Sequence, residues 1–174
     1  YGANASGKSN LIAALRMMRS LILSSSRETQ VGEPIAAEPF LLNTETENQP
    51  SEFEMVFIDA GTQYRYGFAV TEERVMREWL YALGTSREVS LFMRDSEQIK
   101  VNARTFREGR GLEERTRPNA LFLSVAAQFN GQLASRLLNW FRQLEVNTGI
   151  SDDLDMMQAL HSFEESPYRE AIEQ

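Results

Sequence analysis

The chain has 174 residues, a length that suits one domain with room for an appendage, and a hydrophobic fraction of 42% that suffices for a core. It contains no cysteine, which excludes disulfides, thiolate metal sites and thiol chemistry. The net charge of −7 argues against a general nucleic-acid binder, and no apolar run approaches the roughly 20 residues of a membrane span.

The first ten residues, Tyr1-Gly2-Ala3-Asn4-Ala5-Ser6-Gly7-Lys8-Ser9-Asn10, contain G-x-x-x-x-G-K-S, the phosphate-binding P-loop pattern. Gly2 and Gly7 permit backbone angles that a Cβ would forbid, so main-chain N–H groups can approach phosphates. Lys8 supplies an ammonium for the β- and γ-phosphates, and Ser9 offers a hydroxyl to Mg²⁺. A P-loop joins a strand to a helix, and the helix is visible. Leu11, Ile12, Leu15, Met18 and Ile22 share one face, and Ala13, Ala14, Met17 and Leu21 widen the stripe, so the helix is expected to be buried on most sides. It is expected to start near Lys8 and to end in Ser24-Ser25-Ser26. No strand and no initiating Met precede Gly2, so the chain is expected to begin inside a domain. A nucleoside triphosphate site without cysteine fits a cytoplasmic setting.

Residues 24–52 read as a long connection carrying Pro34, Pro39 and Pro50, with an apolar patch at Phe40-Leu41-Leu42 expected to pin it to the core. Residues 53–102 read as an antiparallel meander. Phe53–Asp59 is a strand and Ala60-Gly61 a turn; Tyr64, Tyr66, Phe68 and Val70 then alternate with wetter positions. A third strand alternates through Val75, Arg77, Trp79, Tyr81 and Leu83, and Val89–Met93 and Ile99–Val101 follow. Met55–Asp59 imitates the apolar run and Asp of a Walker B strand, but the next residue is not acidic and a hairpin follows. The hairpin reading is favoured.

Five arginines lie between Arg104 and Arg117, a segment read as a solvated loop with the option of touching phosphate or a partner. Leu121–Ala127 is an apolar run too short to assign by periodicity. It leads to Gln128-Phe129-Asn130-Gly131 and then to a helix carrying Leu133, Leu137, Leu138, Phe141 and Leu144 on one face, ended by Asn147-Thr148-Gly149. Ser151-Asp152-Asp153 and Ser166-Pro167 are further helix starts. His161 is the single histidine, read as a helix-surface residue, and the chain's acidity concentrates beyond Asp152.

Y-G-A-N-A-S-G-K-S-N-L-I-A-A-L resembles the Y-G-x-N-x-S-G-K-S-N-L-L form of ABC-type ATPases in the structural-maintenance, Rad50, RecF and overcoming-lysogenisation-defect group. Within that group it is most similar to the AAA15 family of bacterial ATPases, linked to abortive infection and phage defence. Asn4 and Asn10 beside the P-loop, the β-meander with Y-R-Y-G-F-A-V and R-E-W-L, and an apolar strand leading to Gln128 in the manner of a Q-loop carry the resemblance. It implies an α/β P-loop NTPase fold, an incomplete ABC-type ATPase head over 1–174. The P-loop and first helix would occupy 1–23, an antiparallel β-subdomain 53–102, and the Q-loop with the start of a helical region 119–174. ATP and Mg²⁺ are the implied cofactors. Gly2, Ala3, Asn4, Ala5, Ser6, Gly7, Lys8, Ser9 and Asn10 would hold the nucleotide, and Lys8 and Gln128 would be catalytic. Ser9 and Gln128 would meet the metal.

Two heads would sandwich ATP in a homodimer, with a nucleic acid or an effector protein as a further partner and no membrane. No signature motif, Walker B Asp-Glu or switch histidine is found here; in the family these lie further along the chain, so efficient hydrolysis is expected only of the full-length protein. Two rival readings remain open: an ATP-gated binding or regulatory module without efficient hydrolysis, and the ATP-binding subunit of a transporter.

Overall fold

A computed structural model describes residues 8–27, 30, 32–35, 49–84 and 87–146. The apolar patch at 40–42, Asn147-Thr148-Gly149, the helix starts at 151 and 166, and His161 lie outside the described residues. The chain divides into two compact units, one of Ala14–Leu144 and one of Tyr1–Ala13 with Glu145–Gln174.

The first helix, α1, runs Lys8–Ser24. Its continuous run of Leu, Ile, Ala, Met and Arg favours helix, and it stops where serine hydroxyls compete for the backbone: Ser24 Oγ donates to the Ser20 carbonyl. Met18, Leu21 and Ile22 are buried, whereas Leu11 is 63% exposed, so the apolar stripe is covered on fewer sides than its composition implies.

Five strands follow: β1 Ser51–Asp59, β2 Thr62–Val70, β3 Val75–Leu83, β4 Glu88–Asp95 and β5 Gln98–Val101. They form one antiparallel sheet in the order β1-β2-β3-β4-β5, so each strand pairs with its neighbours in sequence. The β1–β2 turn places Ala60 at φ 46° and Gly61 at φ 76°, the left-handed pair that a two-residue hairpin requires. Asp59 therefore closes a hairpin, as read from the sequence, and its carboxylate takes the Arg136 guanidinium at 2.6 Å.

The inner face of the sheet carries Phe53, Phe57, Tyr64, Tyr66, Phe68, Leu80 and Phe92, all buried. On β3 the buried face is not the apolar one read from the alternation. Arg77 and Leu83 are exposed and Trp79 and Tyr81 half-buried, while Glu78 and Leu80 are fully buried. Trp79 instead covers Gly67 on the outer face, where a Cβ would lie 2.4 Å from its ring and 2.7 Å from the Phe53 carbonyl oxygen. The ring could swing aside, but the strand backbone cannot. Gly67→Ala should therefore lower the unfolding free energy by about 1–3 kcal/mol, read from urea denaturation. A variant as stable as the parent would show that β1 and β2 have slack.

Two single turns of 3-10 helix, Arg107–Gly109 and Glu113–Arg115, precede α2 (Phe122–Gln128) and α3 (Gln132–Gln143). The run expected to be a strand before Gln128 is thus a helix, and Gln128 ends it. The reason lies outside the local sequence: the N–H groups of Phe122 and Leu123 find their acceptor in the Glu78 carboxylate rather than in a neighbouring strand. On α3, Leu137, Leu138 and Phe141 are buried, with Leu133 and Leu144 half-buried, which is the face read from its spacing. Phe57 meets Trp140 and Phe141 with ring centroids 4.3 and 5.2 Å apart, and Phe92 meets Phe122 at 4.9 Å. Such rings are the largest single contributions to a core of this size.

Candidate functional site

Of the nine P-loop positions, Gly2 to Gly7 lie outside the described residues. Lys8 and Ser9 are the first two residues of α1, and Asn10 is the third and exposed. No acidic residue occupies the first turn of α1, so its partial positive charge is not answered from within the helix. A helix N-terminus without acidic residues suits an anion such as a phosphate.

The second half of α1, in the Ala14–Leu144 unit, is tied to both later helices. Arg19 donates from Nε to the Phe141 carbonyl at 3.0 Å and from Nη2 to the Arg142 carbonyl at 2.9 Å, a cation on the closing carbonyls of α3. Ser124 Oγ donates to the Ile22 carbonyl, and the Leu121 N–H donates to Ser25 Oγ at 3.2 Å. Arg117 reaches the Ser26 carbonyl at 2.9 Å.

Gln128 is the exposed last residue of α2, and its side chain makes no hydrogen bond among the described residues. The helix closes over it through the N–H groups of Phe129, Asn130 and Gly131, which donate to the carbonyls of Val125, Ala127 and Ala126. Asn130 takes a left-handed φ of 63° to turn the chain into α3. The Gln128 amide oxygen is a donor of the kind Mg²⁺ accepts, and that ion commonly completes its shell with water and substrate phosphates. Among the described residues no group of three His, Asp or Glu could hold a metal by itself.

Sequence reasoning passed over the residues that position α2. Its N-cap, Leu121, offers no side-chain acceptor. Glu78, fully buried on β3, supplies one: Phe122 N–H donates to Oε2 at 2.6 Å and Leu123 N–H to Oε1 at 3.0 Å, and the Tyr66 hydroxyl donates to Oε1 at 3.0 Å. Arg94 sits opposite Glu78 in the β3–β4 register and is 5% exposed. Its guanidinium donates to the carbonyls of Ser96 at 2.9 Å, Ala120 at 2.8 Å and Pro118 at 3.1 Å. Burial pushes the Glu78 carboxyl above its usual range, against the pull of the two helix N–H groups, Arg94 and Tyr66. Burial likewise raises the Tyr66 phenol, with the Glu78 charge adding to it, and lowers Arg94. The signal was present: shifting the β3 alternation by one residue puts Glu78 between Met76 and Leu80, a charge on an apolar face.

Glu108 performs the same service for α3, whose N-cap Gly131 has no side chain. Leu133 N–H donates to its Oε2 at 3.1 Å and Ala134 N–H to its Oε1 at 2.7 Å. The arginine-rich segment is otherwise solvated as expected: Arg104, Arg107, Arg110 and Arg115 are exposed, while Phe106 and Leu112 are buried. A cleft of about 470 Å³ opens between this segment and residues 129–133. Arg115 stands over the half-exposed Phe129 ring, 5.6 Å from its centroid. No helix among the described residues is long and apolar enough to cross a membrane.

A family model described as "AAA domain, putative AbiEii toxin, Type IV TA system" matches residues 1–165. No curated protein and no solved structure matches the chain.

Proposed function

Because the chain belongs to this AAA-domain family, a P-loop ATPase-type family matched over residues 1–165, we propose that it binds ATP with Mg²⁺ through Gly2–Asn10. In the full-length protein it would serve as the N-terminal part of an ATP-hydrolysing head. The observation that carries this reading is the start of α1 at Lys8, which puts a helix N-terminus free of acidic residues directly after the glycine-rich loop.

In this reading the loop N–H groups and Lys8 hold the β- and γ-phosphates, Ser9 holds the metal, and Gln128 orients the attacking water. Mg²⁺, when bound, would supply the positive charge that offsets the negative charge developing during transfer. Asp59, the one described acid that imitates a Walker B Asp, is engaged by Arg136, and the buried Glu78 by α2. Turnover is therefore assigned to the full-length protein, with two heads sandwiching ATP in a cytoplasmic homodimer.

The AbiEii description fits a role in phage defence, which we read as AAA15-like, with DNA maintenance as its neighbour. A nucleic acid or an effector protein would then receive the ATP-driven movement. An ATP-gated binding module without efficient hydrolysis is the second reading, favoured by the engagement of the Walker B-like Asp59 by Arg136. Steady-state kinetics on full-length Gln128→Ala separates the two. Loss of a hydrogen bond to a neutral water, about 0.5–1.5 kcal/mol, should lower kcat by about 2- to 13-fold. The melting temperature should hold, because Gln128 is exposed and supports nothing. An unchanged kcat would remove Gln128 from the mechanism.

A further inference from the structure

We propose that Glu78 is a positioning residue for ATP turnover, holding α2 so that Gln128 is presented at a fixed place. The proposal rests on the reading of Gln128 as the residue that orients water.

The argument begins with the length of α2. Seven residues make less than two turns, roughly 10 Å of helix. Phe122 to Ala126 are all buried, so the segment has no room to bend. Whatever sets its first turn therefore sets its last residue. A local Ser or Asp cap would move together with the helix. Glu78 belongs to β3, so it refers the orientation of α2 to the sheet. Arg94, opposite Glu78 on β4, grips the chain just before the helix through the carbonyls of Pro118 and Ala120. One strand pair thus holds the acceptors ahead of α2 and the donors that open it. Fold stability alone does not ask for such a device, because replacing buried charge pairs by apolar groups is often neutral or stabilising. Orientation does ask for it: hydrogen bonds fix direction, and apolar contact does not.

The test uses the full-length protein and its ATP turnover. Glu78→Asp keeps the carboxyl group and its two oxygens but shortens the reach by one methylene. Since misplacements of about 1 Å can cost 100-fold in rate, kcat should fall as far as removal of Gln128 takes it, about 2- to 13-fold, with KM for ATP within about twofold of the parent. Combining it with Gln128→Ala should give a kcat no lower than Gln128→Ala alone, because a residue that acts only through Gln128 has nothing further to lose. If Glu78→Asp does not fold, Glu78→Gln is read in the same way.

A Glu78 variant with the parent kcat, or one whose loss multiplies with that of Gln128→Ala, would overturn this proposal and leave the role of Gln128 standing. A Gln128→Ala protein with the parent kcat would overturn both.

Discussion

Lys8→Ala in the full-length protein should abolish measurable ATP turnover and weaken ATP binding by about 10- to 150-fold. The range follows from losing one charge-assisted hydrogen bond, about 1.5–3 kcal/mol. The rate effect is larger than the binding effect because an ammonium at the β/γ-phosphates is worth most when charge shifts during transfer. Folding should be spared. Lys8 is the first residue of α1, and that helix is anchored from its other half by Met18, Ile22 and the two bonds of Arg19. Calorimetric titration and a coupled assay, run beside a thermal melt, check the three statements together. A purified Lys8→Ala protein with parental turnover and a parental melt would end the assignment of this loop to ATP.

Glu78→Ala should be the most damaging single change to the fold. It leaves two N–H groups of α2 and the Tyr66 hydroxyl without their acceptor, and Arg94 buried without its counter-charge. Breaking one side of a buried pair costs about 3–5 kcal/mol, a large part of the roughly 5–15 kcal/mol that holds a typical domain.

The same residue gives a pH signature. Burial raises the Glu78 carboxyl, so the folded chain keeps this proton at pH values where the unfolded chain has released it. Its contribution is complete below the ordinary carboxylate range and is lost as pH climbs through the raised value. The groups facing it are Tyr66 from β2, Arg94 from β4 and the uncharged N–H groups of α2. Guanidinium denaturation across a pH series should show that decline in the parent and lack it in Glu78→Gln. Matching profiles would mean that Glu78 titrates alike in both states.

The elements whose period is set by burial on one face were legible in the sequence. The α3 stripe from Leu133 to Leu144 and the Ala60-Gly61 turn stand where the pattern put them, and Tyr64, Tyr66, Phe68 and Val70 on β2 are buried as read, although Gly67 and Ala69, read as wetter positions, are buried as well. Two readings failed for one shared reason. On β3 the larger side chains, Trp79 and Tyr81, took the open face, where each packs beside an arginine: Arg77 near Trp79, and Arg65 over Tyr81 at 4.4 Å. Hydrophobicity alone therefore chose the wrong side. The run before Gln128 is too short to assign by periodicity, and the strand implied for it by the resemblance to a Q-loop is a helix in the structure. Its cap comes from Glu78, 44 residues earlier in the chain. A contact at that separation leaves no trace near Leu121; its only sign is the charge that Glu78 sets between Met76 and Leu80 on β3, so the wrong face of β3 and the wrong type for α2 are one omission seen twice. For the nucleotide site, the loop pattern was explicit, whereas the role of Gln128 came from resemblance.

The meander has a consequence for the order in which this protein comes together during synthesis. Every strand pairs with its neighbour in sequence, so the sheet can close as soon as residue 101 has left the ribosome, and local pairings of this kind form quickly. Helix α1 emerges before the sheet but cannot dock at that stage. The groups that seat it arrive long afterwards, Ser124 at a separation of 102 residues and the Phe141 carbonyl at 122. A nascent chain halted between residues 101 and 120 would thus hold a finished sheet and an unseated α1. Its apolar stripe would be a target for chaperones until α2 and α3 are made.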